Sequence, residues 1–326
     1  MAIRRSRTAE KKLHIFSGSV HPELADEIAD YLDVELGDVR LEKFSNGECY
    51  ARFMDSIRGE EVFLVQSVSG EVNDALMELL IMIDAAKRAS AAHIHAVITH
   101  YGYARQDRKS AAREPITAKL VADLLQTAGA STITTIDLHQ GQIQGFFDIP
   151  VNHLTALNLF ADYFKESGLT DDLCVVSPDV GRAKAAKKMS DLLDADLAIM
   201  HKGRPQHNVA EITSIIGDVE GKNCILNDDM IDTAGTICAG MKVLKDRGAK
   251  SVHVCATHPI FSGPAYERLE SSVADEVVVC NTIPIPAERL GGKIKTISCA
   301  PLFAQAINNV FTNDSVSSLF DPDFAL

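Results

Sequence analysis

No apolar run in this 326-residue chain approaches the roughly 20 residues that span a bilayer, so no membrane partner is expected. No two cysteines are spaced C-x-x-C, and the seven present (49, 174, 224, 238, 255, 280 and 299) are odd in number. Several stand in apolar strand patterns, where Cys behaves as a small hydrophobe. That argues against a disulfide framework or a zinc site and fits a reduced, cytoplasmic setting. Positive charge is in short supply: 32 Lys and Arg face 45 Asp and Glu, for a formal charge of −13. A nucleic-acid partner would favour the opposite balance. Also missing are a Ser-His-Asp arrangement, a G-x-x-x-x-G-K-[ST] phosphate loop and a dinucleotide-binding G-x-G-x-x-G. Any ATP bound here is therefore held by another architecture. The N-terminus is basic, but no apolar segment follows that is long enough for a signal peptide. Residues 1–11 are expected to form a disordered tail.

The length suggests two domains, and 46% hydrophobic with 24% charged residues reads as globular. What positive charge there is gathers at Arg105, Arg108, Lys109 and Arg113, and again at Lys202 and Arg204. Local basic clusters in an acidic chain point to a small anionic ligand. Along the chain, strand patterns at 13–16, 61–66, 93–100 and 131–138 alternate with helical patterns opening at Pro22, at Asp74 and at Pro115. Val39 to Phe44 and Cys49 to Phe53 read as a hairpin around Ser45-Asn46-Gly47. The second half repeats the plan. A helix is expected from Leu154 to Glu166 and a strand at 173–176, then a helix from about Ala183 to Leu193 and a strand at 197–200. Strands at 252–256 and 276–280 follow, and a closing helix from Pro301. Such alternation predicts an α/β fold with mostly parallel sheets covered on both faces. Ile94 to His100 parallels Val252 to His258, which supports duplication.

The most informative stretch is Cys224-Ile-Leu-Asn-Asp-Asp-Met-Ile-Asp-Thr-Ala-Gly-Thr236. An apolar strand turns polar at Asp228-Asp229, passes through a small-residue turn and enters a helical pattern. Free N–H groups and the helix dipole at such a junction make an anion site. Thr233 and Thr236 add hydroxyl donors, and Gly235 admits close approach of a phosphate. Two adjacent carboxylates suit the paired hydroxyls of a sugar, so a sugar phosphate is the expected ligand. The competing account is plain helix capping by Asp232 or Thr233.

Five further segments carry candidate chemistry. Asp137-Leu138-His139-Gln140 and Ser177-Pro178-Asp179 each follow a strand, where open α/β sheets bind ligands. Carboxylate and imidazole can ligate a divalent metal, although hard Mg²⁺ favours oxygen; the alternative for His139 is a hydrogen-bonded loop histidine. Arg105 and Gln106 offer a planar fork for phosphate and a bidentate amide for a base or ribose. A salt-bridged interface loop is the other account. Phe44-Ser45-Asn46-Gly47-Glu48 can stack a purine on Phe44 and bond through Glu48, or be only a turn. Lys202 to Asn208 lacks an apolar period and reads as a loop able to close over phosphates. His100 and His258 are not nominated.

Taken together these segments resemble the class I ribose-phosphate diphosphokinases over about residues 12 to 320. The carrying motifs are Phe44-Ser-Asn-Gly-Glu48, Tyr101-Gly-Tyr-Ala-Arg-Gln-Asp-Arg-Lys109, 137–148, Ser177-Pro-Asp179, the Lys-x-Arg loop, 228–236 and 257–263. The 228–236 string is also similar to the phosphoribosyl diphosphate loop of type I phosphoribosyltransferases. The resemblance implies two tandem type I phosphoribosyltransferase-like domains, 12–153 and 154–320, with a C-terminal tail at 321–326. It implies transfer of the β,γ-diphosphoryl group of ATP to O1 of ribose 5-phosphate, releasing AMP. By the same resemblance Phe44, Asn46, Gly47, Glu48, Arg105 and Gln106 hold ATP. Asp228, Asp229, Asp232, Thr233, Ala234, Gly235 and Thr236 hold ribose 5-phosphate, with Arg204 beside them. His139 and Asp179 take Mg²⁺, and Lys202 and Arg204 act as the catalytic cations. Members are often homohexamers, and Ser315 to Phe320 looks like the family's tail.

Three departures stand out. Asn46 occupies a usual Asp, Gly203 replaces the middle Arg of Lys-Arg-Arg, and Arg182 follows Gly181 where a second Gly is common. A non-catalytic regulatory homologue and a base-dependent phosphoribosyltransferase are the competing functions. The first would be favoured by damage to Lys202, Arg204 or the Asp-Asp loop, and all are intact. Tandem domains and the Lys-x-Arg loop argue against the second.

Overall fold

A computed structural model describes residues 12–206 and 209–319, with backbone only for 202–206, 209–213 and 318. The expected tails at 1–11 and 321–326 lie outside the described residues. The described chain divides into two compact units: one takes in residues 12–135, 142–152 and 300–316, the other 136–141, the described part of 153–299, and 317–319.

The first unit is built on a five-stranded sheet of β1 (Leu13–Ser17), β4 (Glu61–Ser67), β5 (His93–His100), β6 (Thr132–Ile136) and β7 (Val151–Leu154), in that order. β1, β4, β5 and β6 pair in parallel. Every residue of β4 is buried, and all of β5 beyond His93. A parallel strand sandwiched by helices needs such a run. α1 (Pro22–Tyr31) carries Pro at its start, where the missing N–H is no loss. α2 (Val72–Arg88) and α3 (Thr117–Ala128) cover the sheet through Leu79, Met82, Ile83, Val121 and Leu125. α3 begins two residues after Pro115, not on it. Its start is set by Gln106, whose carbonyl accepts from Ala118 N–H at 3.1 Å.

β2 (Val39–Lys43) and β3 (Cys49–Phe53) form the expected antiparallel hairpin. Its turn is not the two-residue type that asks positive φ of both Asn and Gly. Among the positive-φ residues of this loop stands Gly47, at +90°, and not Asn46. Gly47 N–H closes a turn onto Phe44 O at 2.8 Å, and Asn46 Oδ1 accepts from Glu48 N–H at 3.2 Å.

The second unit carries a seven-stranded sheet, order β10-β9-β8-β11-β12-β13-β14. Its strands are β8 (Leu173–Ser177), β9 (Asp196–Gln206), β10 (Val209–Ile216), β11 (Asn223–Ile231), β12 (Ser251–Pro259), β13 (Glu276–Cys280) and β14 (Ile294–Ile297). All neighbours pair in parallel except β9 with β10. The flanking helices are α4 (Leu157–Glu166), α5 (Ala183–Leu193), α6 (Gly235–Asp246) and α7 (Ala265–Glu270). Leu226, Val254 and Val277 from the sheet meet Ile237, Met241 and Leu244 of α6 in one core. Gly240 lets α6 sit close: a Cβ there would come within 3.3 Å of Leu226 Cδ2. Helix α8 (Ala300–Thr312) closes the first unit.

The segment from Lys202, expected as a loop, is instead the outer half of β9, hydrogen-bonded to β10. β9 pairs with β8 only as far as Ile199. Beyond it one side of the strand has no ladder to satisfy, so Pro205 and the polar sequence are tolerated.

Candidate active site

The site is made by a mismatch in strand length. β11 pairs with β8 only from Asn223 to Leu226, but with β12 it continues to Ile231↔Pro259. β8 ends at Ser177 and turns away at Pro178-Asp179. Past Leu226, therefore, one flank of β11 is open, and Asp228 and Asp229 lie on this stretch. They stand inside a strand and not at its end, as the sequence pattern suggested.

Asp229 is 3% exposed, and its Oδ2 lies 2.8 Å from His139 Nδ1. Arg182 Nε lies 3.8 Å from Oδ1 of both Asp228 and Asp229. Asp179 caps a short 3-10 turn, its Oδ1 accepting from Arg182 N–H at 3.2 Å. His139, Asp229, Asp228, Arg182 and Asp179 thus form one chain of contacts. Burial, then the charge of Asp229, push the Asp228 carboxyl up to about 8. Burial opposes ionisation of Asp229 as well, but the His139 hydrogen bond and the Arg182 guanidinium outweigh it and hold its pKa down. Two adjacent carboxyls that cannot both ionise freely share a proton.

His139 is positioned by a polar lattice. Asp137 Oδ2 accepts from Thr257 Oγ1 at 2.6 Å and from Ala156 N–H at 2.9 Å. His258 Nε2 lies 3.2 Å from the carbonyls of Ile136 and Asp137. Carbonyls only accept, so a proton sits on Nε2; Nδ1 lies 2.9 Å from Thr282 Oγ1, which donates its own proton to Thr257 O at 2.9 Å. Burial lowers the His258 pKa.

After Ile231 the chain passes Asp232 and Thr233 to Ala234, which takes the left-handed conformation (φ +60°) and precedes α6 with no side-chain cap. The first-turn amides of a twelve-residue helix face a junction at which Thr233 and Thr236 are exposed. The loop is braced from behind: Phe261 N–H and Ser262 N–H bond the carbonyls of Ile231 and Asp232, each at 3.0 Å. Arg268 Nη1 donates to Thr233 O at 2.9 Å.

In the first unit, Phe44 is 53% exposed at the hairpin tip, beside Asn46, Gly47 and Glu48. Arg105 and Gln106 lie after β5, both exposed, and the Gln106 amide oxygen accepts from the Thr117 hydroxyl. Lys202 and Arg204 stand on the β9 backbone, and their side chains lie outside the described residues. The Arg182 side chain, Asp137, Thr257 and Arg268 are site components that were not nominated as site residues from sequence. Asp137 stands in the candidate segment 137–140, Arg182 is the departure after Gly181, Thr257 belongs to the internal repeat, and Arg268 left no signal.

Among the described residues no three His, Cys, Asp or Glu are grouped so as to hold a metal by themselves. Mg²⁺ does not require such a cage, since one or two carboxylates complete its shell with water and substrate phosphates. Asp179, Asp228 and Asp229 set carboxylate oxygens along one chain of contacts, so this donor set fits an oxygen-seeking divalent cation.

Comparison with known proteins agrees with this geometry. Residues 13–129 match the model for the N-terminal domain of ribose phosphate pyrophosphokinase. Residues 203–321 match that for the phosphoribosyl synthetase-associated domain. The chain is 53% identical to a ribose-phosphate pyrophosphokinase of Clostridium acetobutylicum, over 96% of this chain and 98% of that one. It is 54% identical to ribose-phosphate pyrophosphokinase 1 of Listeria monocytogenes, over 96% and 98%. The crystal structure of phosphoribosylpyrophosphate synthetase from Mycobacterium smegmatis superposes with a TM-score of 0.88 at 48% identity. It covers 93% of this chain and 100% of that chain.

Proposed function

The chain belongs to the ribose-phosphate pyrophosphokinase family, and from that membership we propose how its residues divide the work of the reaction. The enzyme makes 5-phosphoribosyl 1-diphosphate for nucleotide biosynthesis, on two tandem type I phosphoribosyltransferase-like domains. The observation that carries this is similarity at 53% identity over nearly the whole of both chains.

ATP and ribose 5-phosphate are the substrates. O1 of the sugar attacks the β-phosphorus of ATP, the bond from that phosphorus to the α–β bridging oxygen breaks, and AMP departs with that oxygen. Asp228 and Asp229 accept the paired ring hydroxyls of ribose, and the residues from Asp232 to Thr236 receive the 5-phosphate. Support for the first is the open flank of β11; for the second, the uncapped N-terminus of α6. Phe44, Asn46, Gly47, Glu48, Arg105 and Gln106 bind ATP, with Phe44 supplying an exposed ring for the base. Lys202 and Arg204 neutralise charge on the transferring diphosphoryl group, and Arg204 also reaches the sugar phosphate. Phosphoryl transfer asks for positioning and charge more than for a covalent nucleophile. His139 and Asp179 would hold Mg²⁺, which when bound supplies Lewis-acid neutralisation of phosphate oxygens.

We further propose a cytoplasmic homohexamer. No helix among the described residues is long and apolar enough to cross a membrane. Leu120 and Leu124 on α3, and Ile116 just before it, are exposed and apolar at four-residue spacing, which favours assembly. Light scattering tests the oligomer. The activity is tested by incubating protein, Mg²⁺, ATP and ribose 5-phosphate. AMP formed only when the sugar phosphate is present supports the proposal. No AMP with both substrates bound would leave a regulatory homologue.

A further inference from the structure

Arg182 is the one guanidinium set against the acidic pair among the described contacts. Its backbone is fixed by the turn that Asp179 caps, with N–H to Oδ1 at 3.2 Å. Its side chain is 17% exposed, and Nε sits 3.8 Å from an oxygen of Asp228 and 3.8 Å from one of Asp229. That is too long for a hydrogen bond, and Nε is buried without a hydrogen-bond partner. The geometry differs from a forked Arg–carboxylate bridge, which makes two short bonds and is hard to open. This guanidinium offsets charge while giving up few bonds if it leaves. Removing a counter-charge from buried carboxylates is costly, so something must hold that place whenever the sugar site is empty.

We propose that Arg182 is an internal counter-cation of the sugar site. In the ligand-free protein its guanidinium offsets the Asp228–Asp229 pair, and a divalent cation arriving on the same rim must share or displace it. Arg182 is thereby a positioning residue that sets cation affinity by acting through the carboxylates. The inference rests on the reading of this rim as the cation and sugar site. It concerns a position at which this sequence departs from the resembling family's usual glycine.

The test is calorimetric titration of the full chain with Mn²⁺ alone, without nucleotide or sugar, at low salt. Wild type, Arg182→Met, Arg182→Lys and Arg182→Met combined with Asp228→Asn are compared, with circular dichroism confirming that each is folded. Arg182→Met should bind Mn²⁺ on the order of tenfold more tightly, because a nearby like charge has gone. Arg182→Lys should stay near wild type, since it keeps the charge and changes the shape. The gain should vanish in the Asp228→Asn background. Unchanged or weaker binding by Arg182→Met would overturn the inference, as would Lys behaving like Met. If wild type itself binds no Mn²⁺, the cation site falls as well as the inference.

Discussion

If Asp228 and Asp229 share a proton in the free protein, a cation that arrives beside them must expel it. Asp228 titrates at about 8, so at pH 7 about nine molecules in ten hold that proton. An opposite charge within ~4–6 Å lowers a carboxyl pKa by about 1–3 units. A two-unit shift would leave about one bound molecule in ten protonated, so binding at pH 7 releases about 0.8 proton. Magnesium carries no proton of its own, so the exchange belongs to the protein. The assay is calorimetric titration with Mg²⁺ in two buffers of very different ionisation enthalpy, such as Tris and Hepes. The slope of the observed enthalpy against the buffer's enthalpy counts the protons. The sign follows from the raised pKa: release is large between the bound and free values, about 6 and 8, and dies away on either side, so cation affinity rises across that window and levels above it. Asp228→Asn removes the titrating group and should flatten the slope. Equal enthalpies in both buffers at pH 7 would refute the shared proton, and so would an undiminished slope in Asp228→Asn.

Three further outcomes are expected. Lys202→Ala should cut kcat by on the order of a hundredfold or more, as loss of one transition-state charge contact does, while circular dichroism stays unchanged; near-normal turnover would remove Lys202 from the catalytic set. Thr257→Val keeps the side-chain shape but deletes the 2.6 Å bond to Asp137. A hydrogen bond to a charged group contributes about 1.5–3 kcal/mol, so the urea midpoint should fall and the KM for Mg²⁺ rise, and no change in either would make the bond incidental. Asn46→Asp preserves the acceptor for Glu48 N–H, so the fold should hold while the KM for ATP changes more than that for ribose 5-phosphate. The reverse split would put Asn46 away from the nucleotide.

Much of the fold is legible in the sequence because buried parallel strands announce themselves as unbroken apolar runs. Val62 to Val65 and Val277 to Cys280 are examples, both wholly buried. Elements whose stability comes from pairing and not from burial leave no such trace. β10 interrupts its apolar residues with Glu211, Thr213 and Ser214, and it pairs antiparallel with the outer half of β9 at the sheet's edge. β7 has four residues, of which Asn152 and His153 are polar. The site divides in the same way. Asp228, Asp229 and the 232–236 turn are contiguous and carry their own pattern. Arg182 lies 46 positions upstream of Asp228, on a different turn, and nothing in the spacing says that its side chain folds back towards β11. The depth of the acids inside β11 was equally hidden, because a strand's end is set by its neighbours' lengths.

Strand register shows why one unit carries the acidic pair and the other does not. In the first unit Val62 pairs with Ile94; in the second Cys224 pairs with Val252, the corresponding residue of the repeat. Counting along each strand, Gln66 opposite Ile98 answers to Asp228 opposite Ala256. Gln66 is 1% exposed, and its amide nitrogen is committed to Glu78 Oε1 at 2.8 Å and to Ala75 O at 3.3 Å. Its oxygen accepts from Val20 N–H at 3.4 Å. The position that faces an open flank in one unit is spent in the other on tying β4 to α2 and to the turn before α1. A neutral amide suits that duty, since it both donates and accepts; a carboxylate there would be buried with an acid, Glu78, beside it. The same topological position is thus a brace in one unit and a member of the acidic pair in the other. β1, like β8, stops short of this position, so the difference lies in what fills the flank: Gln66 is tied to Glu78, Ala75 and Val20, whereas Asp228 stands beside Asp229 and Arg182.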